Sequence, residues 1–293
     1  MQGRKYLVTG ATGKTGTCAI RHLLNEGHAV RAFIQQEDER SEILKDDGAE
    51  IFVGDLLDRD DVSRAMKGVS GAYLYYPVRP DYVEAAAYFA HAAKRANLEV
   101  VVKMSQISAR EDSLSHAARN HWVAERIFDW SNVPTVHLRP TFFSELLTLP
   151  WVLDQIVKEN KITFPHGTGR HAPIAAEDQA RLIAALLTQP SDHVGKTYLL
   201  HGPVELGHAQ IAAEISSVVG RTITYSPSTM MEYREHLKTY NLPAFLIQHF
   251  MAVAIDYQNG VFEGKDEIIS EVTGTPPQTV SEFVRMNKQA FMA

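Results

Sequence analysis

Three regularly spaced glycines carry the clearest chemical signal in this chain. Gly10, Gly13 and Gly16 follow the short apolar run 6–8 and precede a helical pattern. Gly10 allows a tight turn, Gly13 lets a phosphate approach the backbone without a Cβ in the way, and Gly16 lets the helix pack closely on a sheet. Because free N–H groups at a helix N-terminus attract anions, the pattern predicts a site for the pyrophosphate of a dinucleotide. The further predicted contacts of this turn are Thr12, Lys14 and Thr15.

Two other kinds of site fit these residues less well. The segment 13–15 is similar to the end of a P-loop, but that motif requires a glycine five residues before Gly13, where Val8 stands. His121 and Glu125 lie one helical turn apart, as ligands of a shared metal ion often do. The thirteen histidines nevertheless form no His-Glu-x-x-His or Cys/His cluster, so we expect no metal site.

Composition restricts the class of protein further. The 293 residues, 45% of them apolar, can bury a large core without disulfides or metals. The net charge is −6 and the basic residues are scattered, so we expect no nucleic-acid partner. Cys18, the single cysteine, fits a small core residue in a reducing cytoplasm. The first strand begins close to the N-terminus and no apolar run approaches the ~18 residues of a membrane span, so we expect a cytoplasmic protein without a signal peptide.

The first half of the sequence alternates strand and helix patterns at a regular interval. This alternation predicts an α/β fold, a doubly wound parallel (Rossmann) sheet with helices on both faces. The predicted strands are 5–9, 29–35, 50–53, 71–76, 99–105 and 135–139. The predicted helices between them are 15–25, 58–67, 82–96 and 117–130. Ligands of such sheets bind outside the carboxyl ends of the strands.

The pattern changes near Pro140 to longer helical segments, which we predict at 151–159, 178–187, 209–219 and 243–257. We therefore expect a dinucleotide-binding Rossmann domain at 1–150 and a smaller, mostly helical substrate lobe at 151–293. Two short strand patterns, at 161–164 and 196–200, either return to the main sheet or pair with each other.

Several segments match motifs of one known family. They are the segment 8–16, Gly54-Asp55-Leu56, Leu138-Arg139-Pro140 with Phe142-Phe143, and Glu177-Asp178. On these residues the chain resembles, over most of its length, the NmrA-like branch of the atypical short-chain dehydrogenase/reductase superfamily. The resemblance implies an adenine site at Asp55 and Leu56, a nicotinamide-side ribose site at Tyr75, Tyr76 and Pro77, and a nicotinamide site closed by Pro140, Phe142 and Phe143. Met104 is a further predicted cofactor contact, and the predicted substrate pocket has Tyr76, Phe143 and Trp151 in its wall.

The chain departs from the parent superfamily at its catalytic pair. Ordinary members use Tyr-x-x-x-Lys, and the corresponding positions here hold Ala117 and His121. Ser105, at the end of the fifth strand, matches the superfamily's serine or threonine. His121 could replace the lysine, because an imidazole can bond a ribose hydroxyl and pass a proton near neutral pH. We therefore name His121 and Ser105 as catalytic candidates, with His121 also a cofactor contact.

Cofactor choice depends on the end of the second strand, where Gln35 stands. An acidic residue there would accept a ribose 2′-hydroxyl, and a basic one would bind a 2′-phosphate. Neither is present, but Lys14, Arg31 and Arg40 are near in sequence. The interpretation favours NADPH over NADH, although the acidic run 37–39 argues for NADH.

Two functions fit these observations. The first is an NAD(P)H-dependent oxidoreductase that reduces a flat, conjugated acceptor such as a quinone, azo dye or triphenylmethane dye, as similar proteins do. Such an acceptor spreads the incoming charge and needs no tyrosine to protonate it. The alternative is a non-catalytic redox sensor that binds NAD(P) and acts through a protein partner. We expect a monomer or homodimer whose partner is a small aromatic molecule.

Overall fold

Short apolar strands alternate with helices in the computed structural model, which describes residues 3–292. The strands are β1 (Lys5–Val8), β2 (Ala29–Ile34), β3 (Glu50–Val53), β4 (Gly71–Leu74), β5 (Val100–Met104), β6 (Thr135–Pro140), β7 (Lys161–Ile162), β8 (Arg170–His171), β9 (Thr197–Leu200), β10 (Leu206–Gly207) and β11 (Thr224–Tyr225). The helices are α1 (Lys14–Asn25), α2 (Glu39–Asp46), α3 (Arg59–Ala65), α4 (Tyr82–Ala96), α5 (His116–Ser131), α6 (Pro150–Glu159), α7 (Ala176–Thr188), α8 (His208–Val219), α9 (Met230–Thr239), α10 (Ala244–Gln258), α11 (Ile268–Thr273), α12 (Val280–Met286) and α13 (Lys288–Met292). A short 3-10 helix covers Ser144–Thr148.

The main sheet has the strand order of a doubly wound Rossmann fold. Within residues 3–292 its seven strands follow the order β3-β2-β1-β4-β5-β6-β9. The pairs from β3 to β6 are parallel, with Tyr6 opposite Val30 on one side and Gly71 on the other. Every residue of β4 and β5 is buried, as expected for strands covered on both faces. The predicted fold class is confirmed.

Polar side chains begin the helices that follow β2 and β3. Asp38 accepts hydrogen bonds from the backbone N–H groups of Arg40 and Ser41 at the start of α2. Asp58 does the same for Asp60 and Asp61 at the start of α3. Since such caps satisfy N–H groups that a helix leaves unpaired, they fix where both helices begin.

The contact pattern divides the chain into two units. One comprises the chain up to Glu111, Arg119–Arg139 and Ala176–Tyr198, and its core contains Leu7, Leu74 and Phe89. The other comprises Asp112–Ala118, Pro140–Ala175 and the chain from Leu199 onward, and a second apolar core lies there around residues such as Ile156 and Leu237. The sequence analysis placed a boundary between two domains at residue 150, and this domain boundary stays a prediction.

The two short strand patterns of the second half have different partners. β9 joins the main sheet beside β6, and β7 pairs in parallel with β11 in a separate two-stranded sheet. The sequence patterns missed α2, α9, α11, α12 and α13, which are short or strongly charged. No helix within residues 3–292 is long and apolar enough to cross a membrane.

Candidate functional site

The glycine turn has the geometry of an anion cradle. Gly10 has a φ of +60°, and its carbonyl oxygen accepts a hydrogen bond from the N–H of Gly13 at 2.9 Å. A Cβ on Gly16 would lie 2.2 Å from the Gly10 oxygen, and one on Gly10 would lie 2.5 Å from the Tyr75 ring. Only glycine fits at both positions, because real Cβ atoms do not approach so closely.

The start of α1 is open to a negatively charged ligand. Gly13 is the N-cap and supplies no side chain to the helix N–H groups, and no acidic residue stands in the first turn. Lys14 is exposed, whereas Thr15 and Gly16 are buried within α1. The unpaired N–H groups and the helix dipole therefore suit a pyrophosphate.

A cavity of about 310 Å³ lies beside this turn, at the carboxyl ends of β1 to β4. The predicted residues that line it are Gly10, Thr12, Gly13, Gln35, Asp55, Leu56, Tyr75, Tyr76 and Pro77. Ala11, Phe33, Ile34, Arg40, Gly54 and Arg79 complete the wall. The structure thus gathers side chains and backbone from four strand ends around one volume, as a dinucleotide requires.

Two arginines of this wall are held by carboxylates. The Nε of Arg40 donates to Asp38 at 2.8 Å, and this hydrogen bond lowers the pKa of Asp38. Arg79 donates to Asp81 at 2.7 Å, and its guanidinium lies 5.9 Å from the Tyr76 ring centroid. Sequence analysis missed Arg79; its position two residues after Pro77, just past a strand end, was the available signal.

Arg31, which is close in sequence to the predicted cofactor contact Gln35, has a structural role instead. Its side chain is buried and donates to Glu50 at 2.8 Å and to the carbonyl oxygen of Lys67 at 3.0 Å. These bonds tie β2 to β3 and to the end of α3, so Arg31 is not available to a ligand.

Aromatic rings continue inward from the end of β4. Tyr76 donates a hydrogen bond from its hydroxyl group to Asp81 at 2.9 Å. Burial is the main cause, and this hydrogen bond the second, that raises the pKa of Tyr76. Its ring stacks on Tyr82 with centroids 5.6 Å apart. His121 is buried, and its ring centroid lies 4.5 Å from that of Tyr82. His121 therefore packs on an aromatic surface one ring away from the cavity wall.

Ser105 stands just past β5 in a buried polar network. Its Oγ donates to Glu125 Oε1 at 2.6 Å, and the Nε of Arg139 donates to the same oxygen at 2.9 Å. Burial opposes ionisation of Glu125, but the bonds from Arg139 and Ser105 and the charge of Lys103 lower its pKa overall. Because Ser105 donates its hydroxyl proton to the hydrogen bond with Glu125, its oxygen can only accept a hydrogen bond from a ligand.

The remaining predicted contacts are placed as follows. Met104 ends β5 and is buried, and Pro140 ends β6. Phe142 stacks on Phe262 at 4.4 Å, and the backbone of Phe143 forms a bridge with Ile174. Trp151, in α6, packs edge-on against Phe250 at 5.7 Å. Their contacts with a cofactor or substrate stay predictions.

Three buried histidines, which sequence analysis did not single out, form a cluster: His166 and His171 contact Phe142, and His208 contacts both of them. His166 Nδ1 is 2.7 Å from His208 Nε2, and His171 Nδ1 is 2.7 Å from the Tyr257 hydroxyl. Burial lowers the pKa of all three, that of His208 to about 3. Within residues 3–292 no group of three or more His, Cys, Asp or Glu is arranged to hold a metal ion.

The fold and the glycine turn define a dinucleotide-binding protein of the Rossmann type. Residues 10–190 match the sequence profile of an NAD(P)H-binding family, and the chain belongs to this family. It is 28% identical to the NAD(P)H azoreductase of Xenophilus azovorans over 293 residues, which cover 98% of this chain and 99% of that protein. It is also 25% identical to quinone oxidoreductase 2 of Escherichia coli, over 94% of this chain and 96% of the relative. These matches place the chain among the NAD(P)H-dependent oxidoreductases.

Solved structures show the same fold. NmrA, a negative transcriptional regulator in complex with NAD, has a TM-score of 0.83 at 16% identity, over 99% of this chain and 98% of that one. The predicted resemblance to NmrA-like proteins is thereby confirmed at the level of the fold.

Proposed function

We propose that the protein transfers hydride from a reduced nicotinamide dinucleotide to a planar conjugated acceptor, such as a quinone or an azo dye. One observation carries the choice of acceptor. Ala117 and His121 stand at the expected tyrosine and lysine positions, and Glu125 holds the proton of Ser105. None of these side chains is therefore placed to donate a proton to a simple ketone, whose oxygen becomes a strong base when hydride is transferred to the carbon.

Positioning is then the main contribution of the protein. The glycine turn would hold the pyrophosphate, and Tyr75, Tyr76 and Pro77 would guide the dinucleotide past the end of β4. The bound nicotinamide supplies the hydride. Holding reacting atoms about 3–3.5 Å apart can contribute several kcal/mol to a rate, and a quinone or azo acceptor can take its proton from water.

The test is to follow the absorbance of NADPH and NADH while a panel of quinones, azo dyes and simple ketones is added to the protein. We expect consumption that requires both protein and a conjugated acceptor, with no turnover of ketones. Tight binding without any consumption would contradict the proposal and favour the alternative of a redox sensor. Ketone turnover would contradict the argument about the missing acid.

Replacing the two catalytic candidates tests where the proton comes from. We expect Ser105→Ala and His121→Ala each to lower kcat with a quinone by no more than about tenfold, the effect of one lost hydrogen bond. A loss of roughly 10²–10⁴-fold in His121→Ala, with a changed pH profile, would identify the imidazole as the general acid and refute proton supply by water.

We propose NADPH as the preferred dinucleotide, with Arg40 as the contact of its 2′-phosphate. Arg40 lines the cavity beside Gln35, and its planar guanidinium, which now donates to Asp38, can bind a phosphate with two parallel hydrogen bonds. We expect Arg40→Gln to weaken NADPH binding about tenfold and to leave NADH nearly unchanged, as measured by fluorescence titration.

Arg79→Gln is the matched control, because it removes the other arginine of the same cavity. We expect this variant to keep the wild-type ratio of NADPH to NADH affinity. An unchanged ratio in Arg40→Gln would show that Arg40 does not read the 2′-phosphate, whatever the effect of Arg79→Gln.

A further inference from the structure

Lys103 is a fully buried lysine in β5, an interior strand of the main sheet. Its side chain is 0% exposed, and its Nζ has no hydrogen-bond partner among the described residues. Lysine is almost never buried in this way without a partner, because moving an ammonium group out of water is costly. A buried ionisable group of this kind, close to a ligand cavity, is a candidate for a functional role.

The neighbouring charges are already paired with one another. Glu125 forms an ion pair with Arg139, and Asp129 forms one with Arg126 at 2.8 Å. Together with Lys103 these groups carry three positive charges and two negative ones, so the charge of Lys103 remains uncompensated within the group. His137, opposite Lys103 on β6, has its pKa lowered to about 4 by burial and adds no charge near neutral pH.

An aromatic ring connects this charge to the cavity. The Nζ of Lys103 lies 5.5 Å from the centroid of Tyr82, which stacks on Tyr76 in the cavity wall. The medium between the ammonium group and the cavity is thus buried protein rather than water. Charges act over longer distances in such a medium, since neither water nor salt screens them.

We infer that Lys103 makes the site discriminate between the redox states of its dinucleotide, so that the protein binds NADPH more tightly than NADP⁺. The inference rests on the proposed function, in which the cavity holds this dinucleotide. The oxidised nicotinamide ring carries a positive charge and the reduced ring carries none, whereas the rest of the molecule is the same. The positive charge of Lys103, which lies behind the cavity wall, therefore repels the nicotinamide ring of NADP⁺ and not that of NADPH.

The charge of Lys103 can be varied through pH. Burial, partly offset by Glu125, lowers the pKa of Lys103 to about 7. Arg139, Arg126 and Asp129 are the other charged groups that act on it, and Tyr82 faces it from α4. The ammonium form therefore dominates at pH 6 and the neutral amine at pH 8.5, so the discrimination should weaken as pH rises.

The experiment measures the Kd of NADPH and of NADP⁺ by titration calorimetry at pH 6.0 and pH 8.5, for the wild type and for Lys103→Met. A unit charge about 10 Å away, at an effective dielectric of about 20, changes an equilibrium roughly tenfold. We expect the wild-type ratio Kd(NADP⁺)/Kd(NADPH) to exceed that of Lys103→Met about tenfold at pH 6.0 and to fall toward it at pH 8.5. Phosphate ionisation is common to both forms and cancels in the ratio.

Lys94→Met, which removes an exposed lysine of α4, should keep the wild-type ratio. Equal ratios in wild type and Lys103→Met at pH 6.0 would overturn the inference and leave the proposed function standing. Binding of neither form would refute the proposed function and the inference with it. If Lys103→Met did not fold, a wild-type ratio that stays constant from pH 6.0 to 8.5 would overturn the inference by itself.

Discussion

Lowering the pH from 7 to 5 is expected to destabilise the protein by several kcal/mol. His166, His171 and His208 are buried and have pKa values well below that of an exposed histidine. At pH 5 they stay neutral in the folded protein but take up protons when it unfolds. This part of the stability is therefore fully present above about pH 6.5 and falls as the pH drops below that value; for His208, whose pKa is about 3, the loss at pH 5 is about 2 kcal/mol.

The measurement is urea unfolding followed by circular dichroism at pH 7, 6 and 5. His208 contributes a loss of about 2 kcal/mol and His166 and His171 add to it in the same direction, which is a large part of the 5–15 kcal/mol that stabilises a typical protein. His208→Phe keeps an aromatic ring between Phe164 and Tyr225. This variant should take up about one proton fewer on unfolding, so its free energy of unfolding should depend less on pH. His91→Gln, on the exposed face of α4, should not change it. Stability that is constant from pH 7 to 5 would contradict burial of neutral imidazoles.

Replacing Lys103 by methionine is expected to stabilise the protein. An exposed lysine has a pKa near 10.4, whereas that of Lys103 is about 7, so keeping this group folded at pH 7 costs about 4 kcal/mol. Methionine has a similar length and no charge, and Glu125 keeps Arg139 and Ser105 as partners. We expect the free energy of unfolding at pH 7 to rise by roughly 2–4 kcal/mol.

Urea unfolding of Lys103→Met and Lys94→Met at pH 7 checks this expectation. The exposed lysine should change the free energy of unfolding by less than about 0.5 kcal/mol. The wild type should also become more stable as the pH rises from 7 to 10, because in this range Lys103 is protonated in the unfolded chain and neutral in the folded protein. A less stable Lys103→Met would mean that the ammonium group is well satisfied inside the protein.

The sequence predicted the strands of the main sheet and the glycine turn because both depend on local pattern. Gly10, Gly13 and Gly16 need only the strand before them and the helix after them to take up their geometry. Asp38 was an available signal for helix α2, because aspartate is a preferred N-cap, but the acidic run 37–39 was interpreted only for the choice of cofactor.

Lys103 could also have been found from the sequence. A parallel strand covered on both faces buries every side chain, so a lysine in the run Val-Val-Val-Lys-Met is buried whichever way it points. The histidine cluster carried no such signal. His166, His171, His208 and Tyr257 are far apart in sequence, and only tertiary folding brings them together.

The path of the chain between the two units limits how they can be recombined. The backbone passes from one unit to the other five times, and α5 begins in one and continues in the other. α7 follows residue 150 in sequence, yet it packs with α1, where Glu177 accepts from His22 at 2.7 Å. A chimaera that exchanged everything after residue 150 with a relative would therefore replace part of the nucleotide-binding half, so grafting a new acceptor specificity requires several splices.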